Sequence, residues 1–327
     1  MKSNVKPGNL KNRVSSRRFF GSLISNIVLW LFILGLFYLF LFPFYYLIST
    51  AFQSEQSVND PSVLWLPHSL TFKNLKDTMN VLNYKDSVVL TFVITVFSTI
   101  MSIISCSLVG YGFARFRFKG KNIAFALVLI TIILPTQAIL IPNYLNFRFF
   151  DFGGILKLLS PITGFSSVNL LETPWTFILP AAFGCGLRGG IFIFIFRQTF
   201  SAQPRELEEA AKIDGCGSFK TYYKIMLPLA RSAIVTVCLF SFVWHWNDLY
   251  SSAMYFVGET RPIMPILNEL RTTLVQEGLT VSVNMSQFSL RTYFASGALL
   301  AVLPPLILYI FLQRFFVQSI EKTGIVG

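Results

Sequence analysis

Four stretches of this chain carry no charged residue over more than 20 positions, and that constrains the fold more than anything else in the sequence. Gly21–Gln53 is charge-free over 33 residues, Ser87–Ala114 over 28, Asn122–Phe147 over 26 and Thr292–Gln313 over 22. About 20 mainly apolar residues suffice for a helix to cross the hydrocarbon core of a bilayer. Two further segments are apolar but interrupted, Thr173–Phe196 by Arg188 and Ser232–Val257 by Asp248. The expectation is therefore an all-α, polytopic membrane protein with six transmembrane helices. Composition agrees: only 13% of residues are charged, against about 25% in a soluble domain, and 35 are Phe. The first apolar run is much longer than the ~7–15 residues of a cleaved signal segment, so it reads as a retained helix.

The net charge of +12 raises nucleic acid as a partner, and the placement of the charges argues against it. With six spans, residues 1–20, 115–121, 197–231 and 314–327 fall on one side and hold 18 basic and 5 acidic residues. Residues 54–86, 148–172 and 258–290 fall on the other and hold 7 basic and 9 acidic residues. Basic loops stay in the cytoplasm, so both termini are expected there, and the basic segment Lys2–Arg18 suits topology and anionic lipid. The positive charge forms no basic face with stacking aromatics. Cys106, Cys185, Cys216 and Cys238 are far apart and only two histidines are present, which argues against a metal site or a disulfide framework. No GxxxxGK[ST] loop occurs, so the chain is not expected to hydrolyse ATP itself.

Breakers sit inside the spans. Pro135 and Pro142 fall in the third, Pro174 and Pro180 in the fourth, and Pro304-Pro305 in the sixth. A proline removes a donor, and in lipid the freed carbonyl needs another partner. Gly184, Gly186, Gly189 and Gly190 permit close helix approach. Either reading is open at this stage, kinked packing or segmented helices beside a transport path. Arg188 and Asp248 are charges within spans and should face protein or water; the sequence leaves open whether they pair. Trp244, Trp246, Asn247 and Asp248 form either an aromatic belt with a polar tip or a wall of a polar solute path.

Residues 197–231 are too long and patterned for a connector. Pro204 suits a first helical turn, Glu206, Glu208 and Glu209 suit the positive end of a helix, and Gly215 suits its stop. Ser218 reads as the cap of a second helix over Phe219–Met226. Three acids argue against a helix lying on anionic headgroups, and Ala210, Ala211 and Gly215 favour docking into a groove of a partner.

Glu209-Ala210-Ala211, then Gly215, Ile225 and Leu227-Pro228, with Asp214 before the glycine, resembles the EAA loop of ABC importer permeases. Gly110–Phe116, Trp246-Asn247-Asp248 and the tail Phe315-Phe316-Val317 with Gly324–Gly327 are similar to the carbohydrate, maltose-type branch of that family. Departures are Gly110 and Gly112 where the branch tends to have Ala, a tail without its usual lysine, and a longer Asp151–Glu172 loop, which reads as a surface loop or a partner contact. The resemblance implies a type I importer (MetI-like) fold in a bacterial cell membrane. It divides the chain into a cytoplasmic segment (1–20), a first helix with its outer loop (21–84), a permease core (85–313) and a cytoplasmic tail (314–327). It implies a second homologous permease as heterodimer partner, two ATPase subunits that use ATP-Mg, a solute-binding protein and a sugar substrate. No cofactor would be bound by this chain, and it would not be an enzyme. Glu209, Ala210, Ala211, Asp214, Gly215, Leu227 and Pro228 would couple to the ATPase. Peptides, polyamines or phosphate are alternative solutes; a channel or membrane enzyme is a more distant one.

Overall fold

The computed structural model describes residues 9–54, 57, 69–164, 166–276 and 287–324. The expectations for residues 1–8, for most of 55–68, for 277–286 and for the terminal Ile325–Gly327 lie outside the described residues. The described residues are mostly helical, with two isolated β-bridges, Gln53 with Leu70 and Phe150 with Val168.

Three helices cross a bilayer's thickness without interruption. They lie within α1 (Asn9–Ala51), α3 (Tyr84–Arg115) and α16 (Gln287–Gly324). The short α2 (Lys73–Val81) leads into α3. The helix α3 is the hub, and its buried face is the reverse of a soluble protein's. Ser87, Thr91, Thr95, Ser98, Ser102 and Gly110 point inward, while Val89, Phe92, Phe97, Ile104 and Leu108 point out. In lipid there is no hydrophobic drive between helices, so small residues take the interfaces. Thr99 meets Ser241 across one of them at 3.1 Å.

The remaining spans are broken, which is where the six-helix expectation needs amending. The third is α4 (Lys121–Ile133), a 3-10 turn (Thr136–Ile139) and α5 (Leu140–Arg148), bent by 103°. Leu134 takes an extended conformation (ψ 126°), as a residue before proline must. A short α6 (Ile155–Thr163) follows in the long loop. Glu172 closes that loop, accepting the N–H groups of Val257 at 2.7 Å and Gly258 at 3.1 Å.

The fourth span is two pieces, α7 (Trp175–Ala182) and α8 (Gly189–Ala202), separated by Phe183–Arg188. Its glycines are needed individually. Gly184 has φ +74°, a Cβ on Gly186 would come within 2.9 Å of Ala181 Cα, and one on Gly190 would collide with Thr131 of α4. The fifth span runs as α12 (Arg231–Trp246), then breaks before α13 (Tyr250–Tyr255). Two short helices, α14 (Ile263–Asn268) and α15 (Leu270–Gln276), precede α16.

The sixth span does not break, although it holds Pro304 and Pro305. The acceptors those residues abandon are the carbonyls four positions back, Leu300 and Ala301. Tyr84 donates its hydroxyl to Leu300 O at 3.0 Å, and Trp246 donates Nε1–H to Ala301 O at 3.0 Å. Neighbouring helices thus supply both missing donors.

Candidate functional site

The loop between α8 and α12 is built as a projecting helix on a buttress. Its first helix, α9, spans Glu206–Ile213, two residues later than Pro204 suggests, with Arg205 at the N-cap. It ends in a Schellman arrangement: Cys216 N–H bonds Ala211 O at 2.9 Å, Gly215 N–H bonds Lys212 O at 3.0 Å, and Gly215 has φ +75°. Asp214 is the C-cap and exposed.

The expected second helix is corrected. Gly217, not Ser218, is its N-cap. One α-helical turn, α10 (Ser218–Thr221), gives way to a π-helical turn (Tyr222–Met226) and then α11 (Leu227–Leu229). Leu227 is half-buried and Pro228 exposed.

The faces of α9 divide cleanly. Glu206, Glu209, Ala210 and Ile213, spaced i, i+3, i+4, i+7, are all exposed, Ile213 at 87%. Ala211 is buried at 2%. Glu208, on the same inward side, pairs with Arg115 Nε at 3.2 Å; the two side chains are 14% and 5% exposed. Arg115 also donates Nη2–H to Gln203 O at 2.7 Å. Behind it, Tyr111 packs against Phe116, Phe200 and Tyr222, and Tyr222 and Ser107 share a hydrogen bond of 2.7 Å. Glu208 and Arg115 were not singled out from the sequence as a pair. The available signal was spacing alone: Glu208 and Ala211, three apart, share one helix face, and Glu206, Glu209, Ala210 and Ile213 share another.

The departure at Gly110 has a steric cause. A Cβ there would lie 2.7 Å from Phe196 Cβ and 3.0 Å from the Arg197 nitrogen, whereas Gly112 has nothing closer than 4.0 Å. Close contact of α3 with α8 therefore requires glycine at the first position only.

The residues expected along a solute path are dispersed. Trp246 is 1% exposed and stacked on Phe242, with its N–H spent on α16. Trp244 stacks between Phe192 and Phe240. Asn247 is exposed and bonds back to Val243 O at 2.9 Å. Asp248 begins α13, accepting Ser252 N–H at 2.7 Å and the Ser251 hydroxyl at 3.2 Å. Arg188 and Asp248 do not pair: the Arg188 guanidinium lies 5.8 Å over the Trp244 ring. Of the five, only Arg188 lines the cavity between the broken third and fourth spans.

A bundle of helices with apolar outer faces around a polar seam, with one helix projecting beyond it, is the architecture of a polytopic membrane protein. The profile of the binding-protein-dependent transport system inner membrane component matches residues 106–322, and the chain belongs to that family. It is 28% identical to the arabinooligosaccharides transport system permease protein AraQ of Halalkalibacterium halodurans, over 93% of this chain and 98% of that one. It is 28% identical to the melibiose/raffinose/stachyose import permease protein MelC of Bacillus subtilis, over 87% and 91%. It is 25% identical to the diacetylchitobiose uptake system permease protein DasC of Streptomyces coelicolor, over 95% and 99%. Its fold is shared with a chain of a bacterial ABC transporter involved in the import of the acidic polysaccharide alginate, at TM-score 0.66 and 23% identity, covering 96% of this chain and 100% of the other.

Proposed function

We propose that this chain is one transmembrane subunit of an ATP-driven, binding-protein-dependent importer of sugars or oligosaccharides, and that α9 is its coupling helix. The observation that carries the reading is the braced helix: Glu209, Ala210 and Ile213 face outward while Arg115 holds Glu208 to the end of α3. A partner bound to the outer face of α9 pulls on α3 through an ion pair rather than through a slack loop. The sugar class is supported by the named solutes of AraQ, MelC and DasC.

In this reading the chain forms a heterodimer with a second, homologous permease. Two cytoplasmic ATPases hold and hydrolyse ATP-Mg, and this chain binds no cofactor and performs no catalysis. A solute-binding protein delivers sugar from outside. ATP-bound ATPases favour the outward-facing arrangement and hydrolysis returns it inward, a shift of population set by differential binding. The chain sits in a bacterial cell membrane with both termini in the cytoplasm. Residues 1–20 and 314–327 are cytoplasmic ends, 21–84 hold the first helix and its outer loop, and 85–313 form the core carrying the coupling loop.

The test is a pull-down of the tagged chain from its native membrane. A second permease and an ATPase should co-purify, and Gly215→Trp should lose the ATPase while the permease pair persists. A chain recovered alone or as a homo-oligomer overturns the reading. Uptake of labelled oligosaccharides against peptides then decides the solute class.

A further inference from the structure

The broken third and fourth spans border an open cavity of about 420 Å³, lined on one side by Leu134, Thr136, Ile139, Leu140 and Asn143 and on the other by Phe183–Ile191. Pockets for small ligands run from about 300 to 1,000 Å³. Arg188 is the one charged side chain among the lining residues, and no carboxylate lines the cavity. Thr136, Asn143 and Ser251 add hydroxyl and amide groups, and much of the remaining wall is apolar.

Four features set Arg188 apart. It is exposed, although residues 173–196 carry no other charge. Among the described residues it has no ion-pair partner. The nearby acids are engaged elsewhere, Asp248 on the start of α13 and Glu172 on Val257 and Gly258. Its backbone has φ +58°, a conformation that glycine adopts without strain. The turn has glycine at 184, 186, 189 and 190, yet the left-handed position just before α8 carries a guanidinium. The guanidinium lies 5.8 Å from the centre of the Trp244 ring, and the first turn of the 14-residue α8 adds the positive end of a helix dipole. On the importer reading the fourth span lies in the bilayer, where a cation is costly without a counter-charge.

We infer that this cavity receives an anionic group of the transported solute, a uronate carboxylate of an acidic oligosaccharide, with Arg188 as its counter-ion and Trp244 as the positioning residue beneath it. The inference rests on the importer reading and names its substrate class. The guanidinium offers two parallel N–H donors to a carboxylate, and the hydroxyl and amide groups meet the sugar's own hydroxyls.

Cys185 supplies the test, because it is exposed and lines the same cavity. In native membranes holding the whole assembly, with Cys216→Ser and Cys238→Ser, alkylation of Cys185 by N-ethylmaleimide is followed with trigalacturonate or its neutral methyl ester. The acid should slow alkylation and the ester should not. Arg188→Gln should weaken that protection at least about tenfold, the loss of one charge-assisted bond, and Arg188→Lys should retain part of it. Equal protection by acid and ester overturns the proposal, as does protection by neither. Protection that follows the phosphatidylglycerol content of the membrane and ignores both sugars overturns it in favour of a lipid phosphate. An assembly that retains its ATPase but leaves Cys185 unprotected removes this inference alone; a chain without an ATPase removes the importer reading.

Discussion

Trp246 donates its indole N–H to the carbonyl of Ala301, the acceptor that Pro305 leaves without a helical donor. Tyr84 does the same for Leu300 and Pro304. The tandem proline of α16 is therefore tolerated because two other helices each extend one side chain to it. The Trp-Asn-Asp segment, read from the sequence as a belt or a path wall, contributes its first residue to this clamp and its last to the start of α13.

Removing the donor should matter only while the proline is present. Trp246→Phe keeps the stack on Phe242 and leaves Ala301 O unpaired in the core, which costs about 1–3 kcal/mol. In a Pro305→Ala background the backbone N–H returns, and the same substitution should cost far less. Thermal unfolding of the four purified variants measures the coupling; equal costs in both backgrounds would refute the clamp.

The Arg115–Glu208 pair should behave as a buried tie rather than a surface contact. Removing one partner of a buried pair costs about 3–5 kcal/mol, and with Glu208 14% exposed the lower end is expected. Glu208→Gln should reduce sugar-stimulated ATP turnover more than it reduces membrane content. The exchange Arg115→Glu with Glu208→Arg should recover part of the loss, read as coupled turnover in reconstituted vesicles.

Gly110 and Gly112 offer a matched comparison two residues apart. Gly110→Ala forces α3 and α8 apart and should cost about 1–3 kcal/mol as an overpacked contact. Gly112→Ala meets only an ordinary contact with Phe116 at 4.0 Å and should be neutral or slightly stabilising, since alanine favours the helix. Denaturation midpoints in detergent check both.

Gly215 is a conformational requirement, not a packing one, because a Cβ there would meet no atom within 4 Å. Gly215→Asn should retain most coupling, since asparagine visits the left-handed region. Gly215→Val should redirect the chain after α9 and reduce ATPase recovery in a pull-down. If asparagine and valine behave alike, backbone conformation is not the reason for the glycine.

The sequence made much of this legible because its signals are local. Charge-free runs locate the spans, and Glu209–Gly215 with Leu227-Pro228 locates the projecting loop and its turn. What it concealed depends on which atoms meet across helices. The single fourth span becomes two pieces because Gly184 and Arg188 both adopt positive φ, and only the fold reveals that. Pro304-Pro305 reads as a kink in isolation, and its repair comes from residues 216 and 55 positions before the carbonyls they reach. Glu208 resembles its acidic neighbours until Arg115, 93 positions earlier, is found beside it.

Gly110 also sits far off-centre in α3, with five residues on the side of Arg115 and 26 on the side of Tyr84. At 1.5 Å per residue these lengths are about 7.5 Å and about 39 Å. The longer part is tied to its neighbours by Thr99 on Ser241, Ser105 on Ala181 O and Tyr84 on Leu300 O. The glycine that lets α3 approach α8 thus lies less than two turns from the Arg115–Glu208 pair. The seat of α9 and that close approach share one end of α3, so a methyl group added at Gly110 would displace the end from which α9 is held.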